Sequence, residues 1–351
     1  MLDGKRVLVT GGTGSLGQAL VRRLMSGELG KPAKVVVFSR DEAKQHEMRA
    51  DWSRQKAPTE DAAFRDYKRV LEFKIGDVRD YESISSAVRD ANIVFHAAAL
   101  KQVPSCEYEP IEAVKTNVLG AGNVVRAILS EGTSVEVALA VSTDKACKPV
   151  NVMGMTKALQ ERIFINGNLG HRAKFLCVRY GNVISSRGSV VPLFLEQIDS
   201  GGPVTVTLAE MTRFLLTLDK AVDTIFAALV TGERGDTFIP RAPSAYVMDV
   251  AKAMIGDRKI KIEIIGVRPG EKVHEILISE EEVFRTIERG EYYVIRPILP
   301  ELSGRVTSAR TTEYSSGDVT LDVAGVGKLL ALARIDRRTG IDRRIPAPAG
   351  D

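Results

Sequence analysis

Arg6-Val7-Leu8-Val9-Thr10-Gly11-Gly12-Thr13-Gly14-Ser15-Leu16-Gly17 is the stretch whose reading decides the fold of this 351-residue chain. The first five residues are a short apolar run suited to a strand buried on both faces. Glycines at GxxGxxG spacing then interrupt it, and a helical pattern follows through Met25. The glycines permit a tight turn, close approach of a pyrophosphate to the backbone, and packing of helix on strand. The helix N-terminus then faces the phosphates. Gly11, Thr13, Gly14, Ser15, Leu16 and Gly17 are therefore read as a dinucleotide cradle.

The same rhythm continues outward. β-rich runs at Lys34–Phe38, Val70–Ile75, Ile93–Phe95, Val135–Val141 and Phe175–Arg179 alternate with helical patterns at Asp41–Lys56, Tyr81–Val88, Ile111–Leu129 and Asn151–Asn166. Alternation of this kind predicts an α/β chain with a Rossmann-type, doubly wound parallel sheet covered on both faces. Residues 1–180 form the expected dinucleotide-binding domain, with parts of 181–250 returning to it. Ala57–Tyr67 is polar and reads as a surface insertion. After Gly181 the prolines multiply and the strands shorten, so 181–332 is expected to be a smaller, discontinuous C-terminal substrate lobe. Helices are expected at Ala221–Val230 and Val247–Met254, a strand at Ile260–Ile265, and a flexible tail at 333–351.

Composition excludes several classes. A net charge of +4, with its one basic cluster at Arg334–Arg344 interrupted by aspartates and lacking aromatics, does not make a nucleic-acid surface. Cys106, Cys147 and Cys177 lack CxxC spacing, and no two of His46, His96, His171 and His274 are close, so neither disulfides nor a metal site is expected. No run reaches the ~18 apolar residues of a membrane span, and the N-terminus has no signal-peptide core. The expected protein is cytoplasmic, with reduced thiols.

The ends of the predicted strands carry the chemistry. Ser39 and Arg40 end the second strand, where an acid would favour NAD and an arginine can hold a 2′-phosphate. With Lys44 nearby, they favour NADP over NAD. Asp77 and Val78, after the third strand, either bracket the adenine or form a plain turn. Ala97, Ala98 and Ala99 supply small side chains where backbone passes a cofactor, and the neighbouring His96 reads equally as a turn histidine or a participant. Val141–Lys157, VSTDKACKPVNVMGMTK, begins at a strand end with Ser142, Thr143, Asp144 and Lys145, and enters a helix on which Met153 and Lys157 share a face. A carboxylate and an amine together there can divide acid and base work. Tyr180, Gly181, Asn182 and Val183 follow the sixth strand on the ligand side of the sheet. Arg213 and Arg268 are candidate diphosphate ligands, because a guanidinium fork matches phosphate oxygens.

GGTGSLG, GDV, HAAALKQVPSCEYEP, KTN, STDK, MGMTK, RYGNVISSRGSVVPLF, MTRFLLTLDKAVD and RPGEKVHEILIS together closely resemble the extended short-chain dehydrogenase/reductases. Within them the chain is most similar to the UDP-N-acetylglucosamine 4,6-dehydratases of bacterial capsule, O-antigen and flagellin-sugar pathways. The resemblance runs from about Lys5 to Tyr314. One position departs from the superfamily: its helix carries Tyr-x-x-x-Lys, whereas Met153 stands here four residues before Lys157. A thioether is a weak acceptor and transfers no proton. Some dehydratases of this group share the methionine, so the departure points to that subgroup and away from a 4-epimerase. A non-catalytic NAD(P)-binding regulator is the third alternative.

The resemblance implies a mechanism. Hydride leaves C4 of the sugar for the bound cofactor, Lys145 removes the C5 proton, Asp144 protonates the departing C6 hydroxyl, and hydride returns to C6, with C5 retained or inverted. This demands a lowered pKa at Lys145 and a raised one at Asp144, with the two heads directed at different sugar atoms. Without tyrosine, the C4 hydroxyl proton is assigned to Asp144, through Thr143 or water. Lys157 holds the nicotinamide ribose, Thr143 the sugar or cofactor, and Lys101 the cofactor or substrate. Asn117 either orients the lysine network or serves a helix kink. By the same resemblance Asn182 contacts the sugar diphosphate and Ser189, Val190 and Val191 close over it. Thr205, Val206 and Thr207 belong to a short strand, from Val204, that reads uracil through its backbone, and Glu271 holds a ribose hydroxyl. Family members pair two long helices into homo-oligomers; Ile111–Leu129 and Asn151–Asn166 are the candidates.

Overall fold

The opening strand lies deep in the largest sheet of the protein. The computed structural model describes residues 1–54, 67–170, 172–184, 186, 188–304 and 307–333. β1 (Arg6–Thr10) is flanked by β2 (Lys34–Ser39) and β4 (Ile93–His96); β3 (Leu71–Ile75) lies outside β2, and β5 (Val137–Val141) and β6 (Lys174–Val178) extend the other side. All are parallel, and Thr237–Pro240 adds a further parallel strand beside β6. The chain steps from one side of β1 to the other between β3 and β4. That reversal opens a crevice at the strands' carboxyl ends.

Side-chain alternation divides the sheet's two faces. Val7, Val9, Val35, Val37, Leu139 and Leu176 pack on one face with the helices Ser15–Met25 and Leu218–Thr231. Leu8, Val36, Val94, Ala138, Ala140 and Phe175 pack on the other, against Tyr81–Val88, Gly120–Leu129 and Val152–Gly167. Residues apolar on both faces explain why these strands read as continuous hydrophobic runs. The helix Glu42–Arg54 has little amphipathic character and buries only Gln45, Met48 and Trp52.

The large sheet takes in more of the C-terminal half than the return of parts of 181–250 implied. Thr286–Arg289 and Tyr292–Ile295 form an antiparallel hairpin whose second strand pairs with Thr237–Pro240. The two-residue connection starts at Gly290, at φ 60°, a backbone state that glycine adopts without a Cβ clash. The lobe itself is a four-stranded sheet of Thr320–Leu321, Ser244–Tyr246, Thr212–Leu216 and Asn182–Val183, with a separate parallel pair of Val204–Val206 and Ile262–Ile264. Val191, Phe194, Val206, Leu215, Val250 and Val326 form its core. Ala333, placed at the start of the expected tail, is buried in that core; 334–351 and most of the expected insertion, 57–66, lie outside the described residues.

The predicted helix Ile111–Leu129 is interrupted. Pro110–Ala113 leads into a π-helical turn at Val114–Leu119 before the α-helix Gly120–Leu129. Such turns recur at functional sites, and this one contains Asn117. Cys106, Cys147 and Cys177 are free thiols, all buried. Among the described residues no helix is long and apolar enough to cross a membrane, and no group of His, Cys, Asp or Glu could hold a metal ion.

Candidate active site

A cleft of about 770 Å³ runs along the carboxyl ends of the parallel strands to the lobe, within the ordinary range for small-molecule sites. Its first end is the glycine turn. Gly11 sits at φ 67°, and a Cβ there would meet the backbone of Ala97 and Ala98 at 2.7–2.8 Å. Gly17 is equally confined, since its Cβ would lie 2.5 Å from Gly11 O. Gly14 is different: it caps the helix Ser15–Met25 with no side-chain hydrogen bond, and the first turn carries no acid. Helix N–H groups without a cap or a competing carboxylate suit a pyrophosphate. The turn therefore fits a dinucleotide on its own geometry.

Thr13, Ser15 and Leu16 line the same end, with Ser39, Arg40, Lys44, Asp77, Val78, Ala97, Ala98 and Ala99. Thr13 Oγ1 donates to Ser39 Oγ at 3.1 Å. Lys44 is drawn to Asp41 at 2.5 Å, whereas Arg40 keeps half its side chain exposed and stands 4.0 Å from Asp77. Arg40 is thus the more available cation for a 2′-phosphate. His96 faces inward: Nδ1 meets Thr10 Oγ1 at 2.9 Å and the ring stacks on Phe164. Burial, helped by nearby Lys157, lowers its pKa to about 3, so it stays neutral and structural.

The middle of the cleft is built by STDK and the following helix. Asn151 caps Val152–Gly167 by accepting from Gly154 N, and Gly154 is needed for close packing: its Cβ would come 2.2 Å from Lys145 O. Lys148, at φ 43°, turns the chain between the two elements and is anchored by Glu313 and Glu280. Met153 and Lys157 both line the cleft. Lys157 Nζ donates to Val141 O at 2.6 Å and Gln160 Oε1 at 2.7 Å. Burial lowers its pKa to about 8, against the pull of Glu161.

Asp144 and Lys145 depart from the expected arrangement. Their heads are paired at 3.0 Å rather than apart. Asp144 is fully buried and does not line the cleft; its Oδ1 also accepts from Thr143 Oγ1 at 2.9 Å, and Gly181 is close enough that a Cβ there would be 3.1 Å from Oδ2. Burial, aided by the charge of Glu275, raises the Asp144 pKa over the opposing pull of Lys145. Lys145 faces the cleft with Thr143 and Ser142. Burial works to lower its pKa, but the carboxylates of Asp144 and Glu275 outweigh this and the net shift is upward. The lowered value required of a simple base is absent, because the lysine lies between two acids.

Below this segment, Ser142 Oγ donates to Glu161 Oε1 at 2.5 Å. Arg179 uses all five guanidinium N–H donors on Glu161, Glu282 and the Leu277 carbonyl. This buried network joins strand, helix and C-terminal segment beneath the candidate catalytic residues. Tyr180, Gly181, Asn182 and Val183 line the cleft above it. The Tyr180 hydroxyl has no partner among the described residues, and burial raises its pKa, so it does not substitute for the missing tyrosine as a ready acid or base.

Three expected contacts lie elsewhere. Asn117 is buried behind the cleft wall, clamping both backbone groups of Leu100 and donating to Thr156 Oγ1, so it braces the Ala97–Leu100 loop rather than touching a cofactor. Val191 and Val206 belong to the lobe core. The backbone of strand Val204–Val206 is already partly engaged. Gln197 takes Thr205 N–H, while Ile265 and Gly266 donate to the carbonyls of Val206 and Thr207. The side chains of Thr205 and Thr207 reach the cleft instead, as do Lys101, Ser189, Val190, Arg213, Arg268 and Glu271. Sequence reading missed Glu275. It took RPGEKVHEILIS to supply Glu271, yet Glu275 is also in the cleft wall, 3.0 Å from Lys145. Only tertiary packing brings that segment to STDK.

The sheet, crevice and lobe are those of an extended short-chain dehydrogenase/reductase. The chain belongs to the polysaccharide biosynthesis protein family, whose family model matches residues 7–297, and it is a nucleotide-sugar-modifying enzyme of that class. It is 43% identical over 301 residues to a protein of Rickettsia bellii (strain OSU 85-389) named UDP-glucose 4-epimerase, covering 84% of each chain. The crystal structure of Pen from Bacillus thuringiensis matches with a TM-score of 0.85 and 32% identity, over 95% of this chain and 99% of that one. DesIV of Streptomyces venezuelae, a dTDP-glucose 4,6-dehydratase crystallised with NAD and TYD, matches with a TM-score of 0.65 over 76% of this chain and 86% of that one. At 20% identity it attests the fold alone.

Proposed function

We propose that this chain is a UDP-N-acetylglucosamine 4,6-dehydratase that makes a UDP-4-keto-6-deoxy-hexosamine for a bacterial surface polysaccharide. The observation that carries the reading is the cluster of Asp144, Lys145 and Glu275 beside a helix position occupied by Met153. Epimerisation needs proton transfer at the C4 oxygen alone, which a phenol performs. Water loss needs in addition a base at C5 and an acid for the C6 oxygen; Lys145 and Glu275 in the cleft wall, with Asp144 buried against Lys145, supply those extra ionisable groups, while no phenol stands four residues before Lys157.

A nicotinamide dinucleotide, NADP by preference, supplies hydride removal at C4 and hydride return at C6. The helix N-terminus at Gly14 holds its pyrophosphate, Arg40 its 2′-phosphate and Lys157 its ribose. Arg213 and Arg268 hold the sugar diphosphate, with Glu271 at a ribose hydroxyl. Lys145 is the acid–base residue at the sugar. Asp144, pushed toward its acid form, delivers its proton through Thr143 or Lys145 rather than directly. The sugar enters against Thr143 and Asn182. The exposed Ile111, Leu119, Met155 and Leu159 on the candidate interface helices support a homo-oligomer.

The name carried by the Rickettsia relative supports a second reading, a UDP-sugar 4-epimerase. Incubation with UDP-N-acetylglucosamine in deuterated water, followed by NMR and mass spectrometry, separates the two. Loss of one water with deuterium at C5 and no accumulated reduced cofactor is expected. A galacto-configured product with no water lost would replace the dehydratase reading with the epimerase.

A further inference from the structure

The Glu275 side chain is 2% exposed; it lies within RPGEKVHEILIS but has no part in the mechanism that the resemblance implied. Its backbone is clamped on both sides: its N–H donates to Ser316 Oγ at 2.9 Å and its carbonyl accepts from Ser316 N at 2.8 Å. Ser316 is in turn fixed to Thr212 Oγ1 at 2.7 Å. The backbone that carries the carboxylate is therefore fixed in the cleft wall. Oε1 lies 3.0 Å from Lys145 Nζ and 3.8 Å from Arg213 Nε; Oε2 is buried with no hydrogen-bond partner among the described residues.

Buried carboxylates normally have both oxygens satisfied. With Oε2 left open, fewer donors stabilise the charged form, which favours protonation of the carboxylate at Oε1, where Lys145 already points. Lys145 has the complementary difficulty: standing between Asp144 and Glu275, it is an ammonium and has no lone pair for the C5 proton. An outlet for one of its protons is required, and Glu275 is the neighbouring carboxylate that also lines the cleft.

We propose that Glu275 is the proton relay of Lys145, accepting an ammonium proton at Oε1 as the amine so formed takes the C5 proton of the nucleotide sugar. The balance is closed. The Nζ–H bond toward Glu275 breaks and an Oε1–H bond forms, while C5–H breaks and a new Nζ–H forms. The C5 electron pair passes into the enolate of the 4-keto sugar. Lys145 ends as an ammonium and Glu275 as a neutral acid; return of the Glu275 proton to the sugar or to water restores the starting state. Glu275 stays charged beforehand, since the cations Lys145, Arg213 and Lys272 outweigh its burial and lower its pKa. Glu275 acts through Lys145 and is a positioning residue.

This inference rests on the dehydratase reading, and deuterium exchange at C5 tests the two separately. Exchange into UDP-N-acetylglucosamine is followed across pH for the full chain and for Glu275→Gln and Glu275→Asp, with UDP and NADP affinities and melting temperatures alongside. The groups facing Glu275 are Asp144, Lys145, Arg213 and Lys272, all kept in the variants; the adjacent His274 is held by Thr212. Glu275→Gln is expected to lose exchange by about 100-fold or more at every pH with ligand affinities near the parent's, as removal of an acid–base partner does. Glu275→Asp, which keeps a proton acceptor, is expected to recover part of it. Glu275→Gln with an undiminished maximum and a pH profile moved to lower pH would overturn the relay, because the glutamate would then act through its charge alone. If the glutamine variant fails to fold, a folded, ligand-binding aspartate variant without exchange overturns it too. A parent enzyme that exchanges no deuterium removes the dehydratase reading itself, and this inference with it.

Discussion

Replacing Arg179 with methionine tests whether the buried network beneath the Ser142–Lys145 segment stabilises the fold. The guanidinium holds Glu161 through two bonds of 3.0 and 2.6 Å and Glu282 through two of 2.7 and 3.0 Å, with a fifth to Leu277 O. The Arg179 side chain is 4% exposed, and those of Glu161 and Glu282 are 6% and 11%. Removing the cation takes the main partner from two buried carboxylates, leaving Glu282 with Arg285 at 3.5 Å, and breaking such a pair costs about 3–5 kcal/mol. In a chain of this size that corresponds to a fall in Tm of about 4–7 °C. The pH dependence supplies a sharper test. Burial by itself would raise the Glu282 pKa, but pairing with Arg179 holds it at about 2, below the ordinary 4.5. A depressed carboxyl contributes stability above 4.5 that is lost as pH falls through 2, here about 3 kcal/mol. Without Arg179, burial raises the same pKa and the sign inverts: mild acidification then stabilises the variant through Glu282. Urea unfolding and calorimetry from pH 7 to pH 4 compare the two proteins. A methionine variant that melts with the parent and keeps its pH slope would refute the argument.

Lys145→Ala is expected to abolish C5 exchange and water loss while leaving nucleotide affinity near normal; full turnover would remove Lys145 from the mechanism. Asp144→Asn is expected to slow the same steps by about 100-fold, and unchanged kcat would show that its buried proton is unused. Gly154→Ala, which places a Cβ 2.2 Å from Lys145 O, is expected to cost about 1–3 kcal/mol and to lower kcat by displacing the catalytic turn, as melting and kinetics will report. Lys157, lowered to about 8 by burial, is expected to appear in ¹³C-methylene NMR as a lysine titrating well below the ordinary ~10.4; its absence would contradict the burial assigned to it. Arg40→Ala is expected to weaken NADP by about tenfold relative to NAD, the loss of one charge-assisted phosphate contact, and equal losses for both would place the 2′-phosphate elsewhere.

Local chemistry made much of the molecule legible. Arg6–Thr10 and GGTGSLG specify a buried strand, a glycine turn and a helix start within one contiguous stretch, and the structure places all three there. The parallel sheet follows from runs whose alternate residues both meet apolar layers. Asn151, Gly154 and Lys157 are readable because a helix cap and the pitch of a helix operate over a few residues. The positions that sequence misassigned depend on segments far apart in the chain. Asn117 reads as orienting the lysine network or serving a helix kink, and only the fold shows its amide taken by Leu100 and Thr156. The 286–295 hairpin reads as lobe, yet its edge pairs with Thr237–Pro240 in the large sheet. The sequence by itself determined the doubly wound sheet, the glycine turn and the STDK segment, because propensity, glycine geometry and periodicity act locally. Tertiary structure alone decided the protonation of that segment. Asp144 and Lys145 are neighbours in any conformation, but Glu275 reaches Lys145 across 130 residues, and the depth of burial around all three sets which of them holds a proton.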